Sequence, residues 1–157
     1  MVHFREVQQF RQPWLWAIIL VSFGVMSWSA LREMPGSHPA RFVPLLFGAL
    51  AVGWIYACRL VTEVRDDHIE VAFRLLWPAR RIPLADVREA KAAHYHPILD
   101  YGGWGVRWSL RKGRAYNVSG DRGVLLELAN GSKVMIGSQQ PEALERAIAE
   151  RRALPNR

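Results

Sequence analysis

Near its start the chain carries two long uncharged runs, and beyond them the apolar period drops to two. Residues 13–31 read PWLWAIILVSFGVMSWSAL, 19 positions without a charge. A helix over them, rising about 1.5 Å per residue, covers roughly 28 Å, close to the thickness of a bilayer's hydrocarbon core. Residues 42–58, FVPLLFGALAVGWIYAC, give 17 more. That is the short end for a span, and Arg41 and Arg59 stand where they can snorkel outwards. Trp14, Trp16 and Trp28 fall at the ends of the first run, where aromatic rings favour the membrane–water boundary. Gly48, Ala49, Ala51 and Gly53 offer small surfaces for close helix contact. The small residues SWSA at 27–30 resemble a signal-peptide cleavage site. A second run only ten residues further on makes the pair a hairpin instead.

From residue 60 onwards the pattern is that of strands. EVRDDHIEVAF (63–73) reads as strand, acidic turn and strand, with Ile69, Val71 and Phe73 on one face. Pro83 in RRIPLADVREAKAAHY (80–95) marks an edge or a strand end. VRWSLRKGRAYNVSG (106–120) gives two more strands about a turn at Lys112-Gly113. In GVLLELANGSKVMIGS (123–138), Asn130-Gly131 predicts a two-residue type I′ hairpin turn between apolar runs. A closing helix over about 141–152 is predicted by Pro141 at its first position, the stripe Leu144, Ala147 and Ile148, and Arg151-Arg152 at its end. The domain is therefore mainly β: about seven antiparallel strands rolled into an open barrel and capped by a C-terminal helix.

The organisation that follows is an N-terminal tail over 1–12, two transmembrane helices within 13–61 (13–31 and 42–58) joined by a short external loop, and a domain over 60–157. Charge sets the orientation. Arg59, Arg65, Arg74 and Arg80 lie within about 20 residues of the second span, the window of the positive-inside bias. The domain is expected in the cytoplasm of a cell membrane, and two spans return the N-terminal tail to the same side.

Four sequence blocks carry a family resemblance: RRIPLADV (80–87), YGGWGVR (101–107), GRAYNVSGDRGVLLEL (113–128) and IGSQQPEALERAI (136–148). With the helical pair they cover most of the chain, which resembles small bacterial membrane proteins with a PH-like (pleckstrin-homology-like) domain. The resemblance implies a split barrel of seven strands with a C-terminal helix. Related bacterial modules suggest self-assembly, and lipid-headgroup binding is a fold-level analogy.

Chemistry is sparse. One cysteine, Cys58, allows no disulfide within the chain and no multi-cysteine metal site. Nucleophile elbow, Walker A, His-Glu-x-x-His and Cys-x-x-Cys patterns are all missing, so no catalytic, metal or cofactor residues are assigned. His94 and His96 share a strand face with Asp100 nearby, but two histidines fall short of the three or four ligands of a zinc site. The net charge is +7; residues 59–157 hold 17 Lys/Arg against 12 Asp/Glu, interleaved rather than clustered. That mixture reads as a soluble surface with no nucleic-acid face. The basic candidates for lipid or partner contact are Arg80 and Arg81 in one loop, and Arg107, Arg111, Lys112 and Arg114 about one hairpin. In YGGWGVRW (101–108), Gly102, Gly103 and Gly105 predict a tight bend into a strand, with Trp104, Val106, Trp108 and Leu110 on its buried face. The expected role is a non-enzymatic, membrane-anchored scaffold binding a protein partner or its own copies. The alternative is a sensor of anionic lipid headgroups. Strand edges and small-residue helix faces favour a homo-oligomer.

Overall fold

The computed structural model describes residues 1–33 and 39–153. The chain divides into two units: Phe10–Cys58, and Met1–Gln9 together with Arg59–Arg157.

The first unit is a helical hairpin, α1 (Pro13–Glu33) and α2 (Val43–Ala57), the second preceded by a 3-10 turn over Pro39–Phe42. Prolines in the first turns cost no intrahelical hydrogen bond. Both helices, the second counted with its leading turn, are long and apolar enough to cross a membrane. The loop expected over 32–41 falls largely on residues 34–38, outside the described residues. Gly48 lies where the helices meet: a Cβ there would stand 3.0 Å from the Phe23 ring. Gly53, expected to share that role, has open space around its Cβ position. The outer faces are apolar and open, with Ile18, Leu20, Val21, Val25, Leu46 and Leu50 all exposed. The core helices of a water-soluble domain would bury such residues.

The second unit is mainly β. Strands β1 (Val2–Gln9), β2 (Arg59–Arg65), β3 (His68–Arg74) and β4 (Trp77–Pro83) form an antiparallel sheet in that order. Pro83 ends β4, and β4 is an edge, so its missing N–H breaks no ladder. The second sheet holds β5 (Val87–His94), β6 (Gly105–Ser109), β7 (Gly113–Asn117), β8 (Arg122–Leu128) and β9 (Lys133–Gly137), in the order β5-β8-β9-β7-β6. A five-residue helix, α3 (Pro97–Tyr101), precedes β6, and α4 (Pro141–Ala153) closes the unit.

Three expectations change. The described residues form nine strands rather than about seven. They make two sheets, and β7 pairs parallel with β9 where only antiparallel pairing was expected. The segment expected as a tail over 1–12 supplies β1, a full strand of the first sheet. Its inward side chains are polar, which hid it. The Glu6 carboxylate accepts from Ser138 Oγ at 2.5 Å and from the Gln139 N–H at 2.7 Å. Gln8 Nε2 donates to the Gly137 carbonyl at 2.8 Å. These bonds pair the buried Glu6 carboxylate and the amide nitrogen of Gln8, and tie the first sheet to the end of β9.

The core is fully buried on both sheets. Leu60, Val64, Ile69, Val71 and Phe73 supply the first; Val124, Leu126 and Ile136 supply the second. Helix α4 lies over β5 and β8 and reaches β1 and β2, burying Leu144 and Ile148. The β8–β9 hairpin forms as expected, but its turn differs. Gly131 takes a φ of 80°, while Asn130 is not among the described residues with positive φ. Gly131 N–H donates to the Leu128 carbonyl at 2.8 Å, and Leu128 N–H to that of Ser132 at 2.9 Å. A type I turn followed by a left-handed glycine fits these bonds, and a type I′ turn does not. Asn130 Oδ1 instead accepts from the backbone N–H and the hydroxyl of Ser132.

Candidate interaction surface

Helix α3 explains the bend that follows it. Asp100 Oδ2 accepts the His96 N–H at 2.9 Å and so caps the helix start. Gly102 ends the helix with a φ of 75°, and Gly103 and Gly105, the first residue of β6, also take positive φ. A side chain at these positions would be strained. The stretch is therefore a structural turn into a strand, as its glycines predict. Helix α3 itself is too short to leave a periodicity.

The buried face expected for β6 is not buried. Val106 is half-buried, but Trp108 is 66% exposed and Leu110 86%. The alternation is present; β6 is the edge of its sheet, and nothing among the described residues covers that face. Trp104 is half-buried. Ile98 and Leu99, on the neighbouring α3, are exposed as well. Four large apolar side chains thus stand open on adjacent elements.

The basic candidates are split between the two sheets. Arg80 and Arg81 lie on β4, where Arg81 Nε pairs with Glu70 at 3.3 Å. Arg107, Arg111, Lys112 and Arg114 lie on or between β6 and β7. Arg107 Nε donates to the Trp104 carbonyl at 3.0 Å, and Arg114 Nη1 to the Tyr116 hydroxyl at 3.4 Å. Lys112 Nζ pairs with Asp100 at 2.7 Å. That lysine, together with the His96 N–H, holds the Asp100 carboxyl below its ordinary pKa. Burial beside the same aspartate pushes the Tyr101 phenol up to about 12. Lys112 fastens α3 to the β6–β7 hairpin through Asp100 and through its carbonyl, which accepts from the Tyr101 hydroxyl at 3.3 Å.

His94 and His96 do not join Asp100 in a ligand set. His94 is exposed with Asp121 3.9 Å away, and Asp100 is engaged by His96 only through the backbone. Among the described residues no group of three His, Cys, Asp or Glu side chains gathers around a metal position.

The β3–β4 turn escapes a reading by period, because its apolar residues interrupt the alternation of the flanking strands. Residues 74–79, RLLWPA, are exposed without interruption. Leu75, at 61%, is the one non-glycine described residue with positive φ, 69°. A turn facing water is ordinarily polar, and a left-handed position is ordinarily Gly, Asn or Asp. The signal was legible: three large apolar residues between two arginine-bearing strands.

No protein-family model and no curated protein matches this chain.

Proposed function

We propose that this protein is a membrane-anchored, non-enzymatic interaction module whose PH-like β unit meets a protein partner, foremost a second copy of itself, at the bilayer surface. The observation that carries this reading is the exposure of Ile98, Leu99, Trp108 and Leu110 on α3, β6 and the turn after it, beside the open edge of β6. An exposed edge strand with apolar neighbours is a template for another chain. Two antiparallel-rich sheets with a C-terminal helix across them support a PH-like organisation, here with nine strands and a helical hairpin inserted after the first.

The hairpin is the membrane anchor in this reading. Gln9 pairs with Arg59, so the helical segment leaves and re-enters one sheet between neighbouring strands. A chain that crosses twice returns to its starting side, which is what the β1–β2 ladder requires. Arg59, Arg65, Arg74 and Arg80 then favour the cytoplasmic face for both termini.

The test is the mass of the full-length protein in detergent and in lipid nanodiscs, with and without crosslinker. Oligomers are expected for the parent chain, shifting to monomer in Trp108→Glu and Leu110→Glu. A parent chain that stays monomeric at micromolar concentration removes self-association as the role of this face.

A further inference from the structure

We propose that the β3–β4 turn, Leu75-Leu76-Trp77, is inserted in the interfacial layer of the bilayer and holds one end of the first sheet on the membrane. The proposal rests on the reading of the hairpin as two membrane spans.

Register places the turn. Helix α2 ends at Ala57, and β2 starts at Arg59. Across the ladders Gln9 pairs with Arg59, and Arg59 with Arg74. Paired residues on neighbouring strands stand about 5 Å apart. The end of the sheet that is covalently joined to the hairpin is therefore the end that carries the turn. Leu76 N–H donates to the Phe73 carbonyl at 3.1 Å, and Trp77 pairs with Phe73. The turn is thus a tight one, on the rim of the sheet beside the point where the chain leaves the hairpin.

Composition identifies the occupant. Leu75, Leu76 and Trp77 are all exposed. Tryptophan with neighbouring leucines suits the boundary between headgroups and acyl chains. Arg59 and Arg74 share the same rim, and Arg80 lies on the strand leaving the turn. Arginines at that depth face anionic headgroups. The turn at the opposite rim is polar. Asp66 and Asp67 form the β2–β3 turn there, six residues along β2, which is about 20 Å away. Asp66 is offset there by the N-terminal ammonium and Arg151, so the far rim is of mixed charge, whereas the tethered rim joins an apolar turn to arginines and matches an anionic membrane. The left-handed Leu75 fits the same picture: a strained position kept for a large apolar side chain instead of glycine.

The experiment uses the full-length protein in anionic vesicles, in a Cys58→Ala background, with an environment-sensitive NBD label at one introduced cysteine. Three positions are compared: Leu76→Cys in the turn, Ala85→Cys near the far rim, and Val25→Cys in α1. Lipids bearing a quencher at shallow or deep acyl positions read the depth. A blue-shifted emission at 76, quenched most by shallow lipids, is expected, with position 85 unquenched and position 25 quenched most by deep lipids. Arg74→Glu combined with Arg80→Glu should reduce quenching at 76 while leaving position 25 as it was. Emission at 76 no more quenched than at 85 would overturn the proposal and leave the membrane anchor standing. A blue-shifted but unquenched label at 76 would also overturn it, showing that protein covers the turn. Absence of deep quenching at 25 would remove the anchor and this proposal together.

Discussion

The helical hairpin and the β unit use the same apolar residue types in opposite ways. In the β unit Leu60, Ile69, Phe73 and Leu126 are at most 1% exposed; in the hairpin Val21, Leu46 and Leu50 exceed 60%. Burial follows the solvent. A chain facing water hides its apolar surface, whereas one facing hydrocarbon, as the proposed anchor would, has no reason to. The difference also sorts the exceptions. In the β unit open large apolar side chains gather at α3–β6 and at the β3–β4 turn, the surfaces on which the two proposals rest.

The contrast can be broken most forcefully at its buried pole. Phe73→Ala empties a fully buried site, and a loss of about 3–5 kcal/mol is expected in urea unfolding of the full-length protein in detergent. Gly113→Ala should follow. Its φ is 76°, and a Cβ there would lie 2.1 Å from the Lys133 carbonyl oxygen on the parallel partner strand. About 2 kcal/mol or more is expected from the left-handed backbone and the overpacking combined. Unchanged stability would mean that β7 and β9 do not approach as described.

A smaller, local effect is expected from acid. Asp66 accepts from the N-terminal ammonium, His3 and Arg151, and the first two hold its carboxyl down at about 2. Because the folded value lies below the unfolded one of about 3.9, the contribution is complete above pH 4. It disappears as the pH falls towards 2. Amide exchange should therefore accelerate at the start of β1 across that window before the core strands respond. Asp66→Asn should remove the pH dependence. The smallest effect tests the exposed pole: Leu99→Ala should change stability by less than about 0.5 kcal/mol while weakening self-association. A large stability loss would show that Leu99 belongs to the core.

What could be read from the sequence was whatever repeats locally. Nineteen and seventeen uncharged positions announce two apolar helices, and Leu144 and Ile148 on one stripe announce α4. Ile69, Val71 and Phe73 give β3 by simple alternation. Strand β1 inverts the rule: Glu6 and Gln8 point inwards to hydrogen bonds, while Val7 is exposed. Hydrophobic period therefore misreads it as a tail. The face of β6 was wrong for the converse reason, because alternation shows that a strand has two faces but not that anything covers the apolar one. The parallel pairing of β7 with β9 and the division of the arginines between two sheets depend on contacts far apart in sequence, which no local pattern encodes.

The inserted hairpin also gives the chain a built-in check on its own biogenesis. Strand β1 is synthesised first, yet its partner is β2, with Val2 opposite Arg65. The ribosome must complete both helices before that ladder can close, so the earliest strand waits as an unpaired edge. If the hairpin is the membrane anchor proposed above, failure of one helix to insert would strand β1 and β2 on opposite sides of the membrane and cost the first sheet its edge strand. On that reading only a correctly threaded chain can bury Glu6 against Ser138, so completion of the fold would report that both helices had inserted.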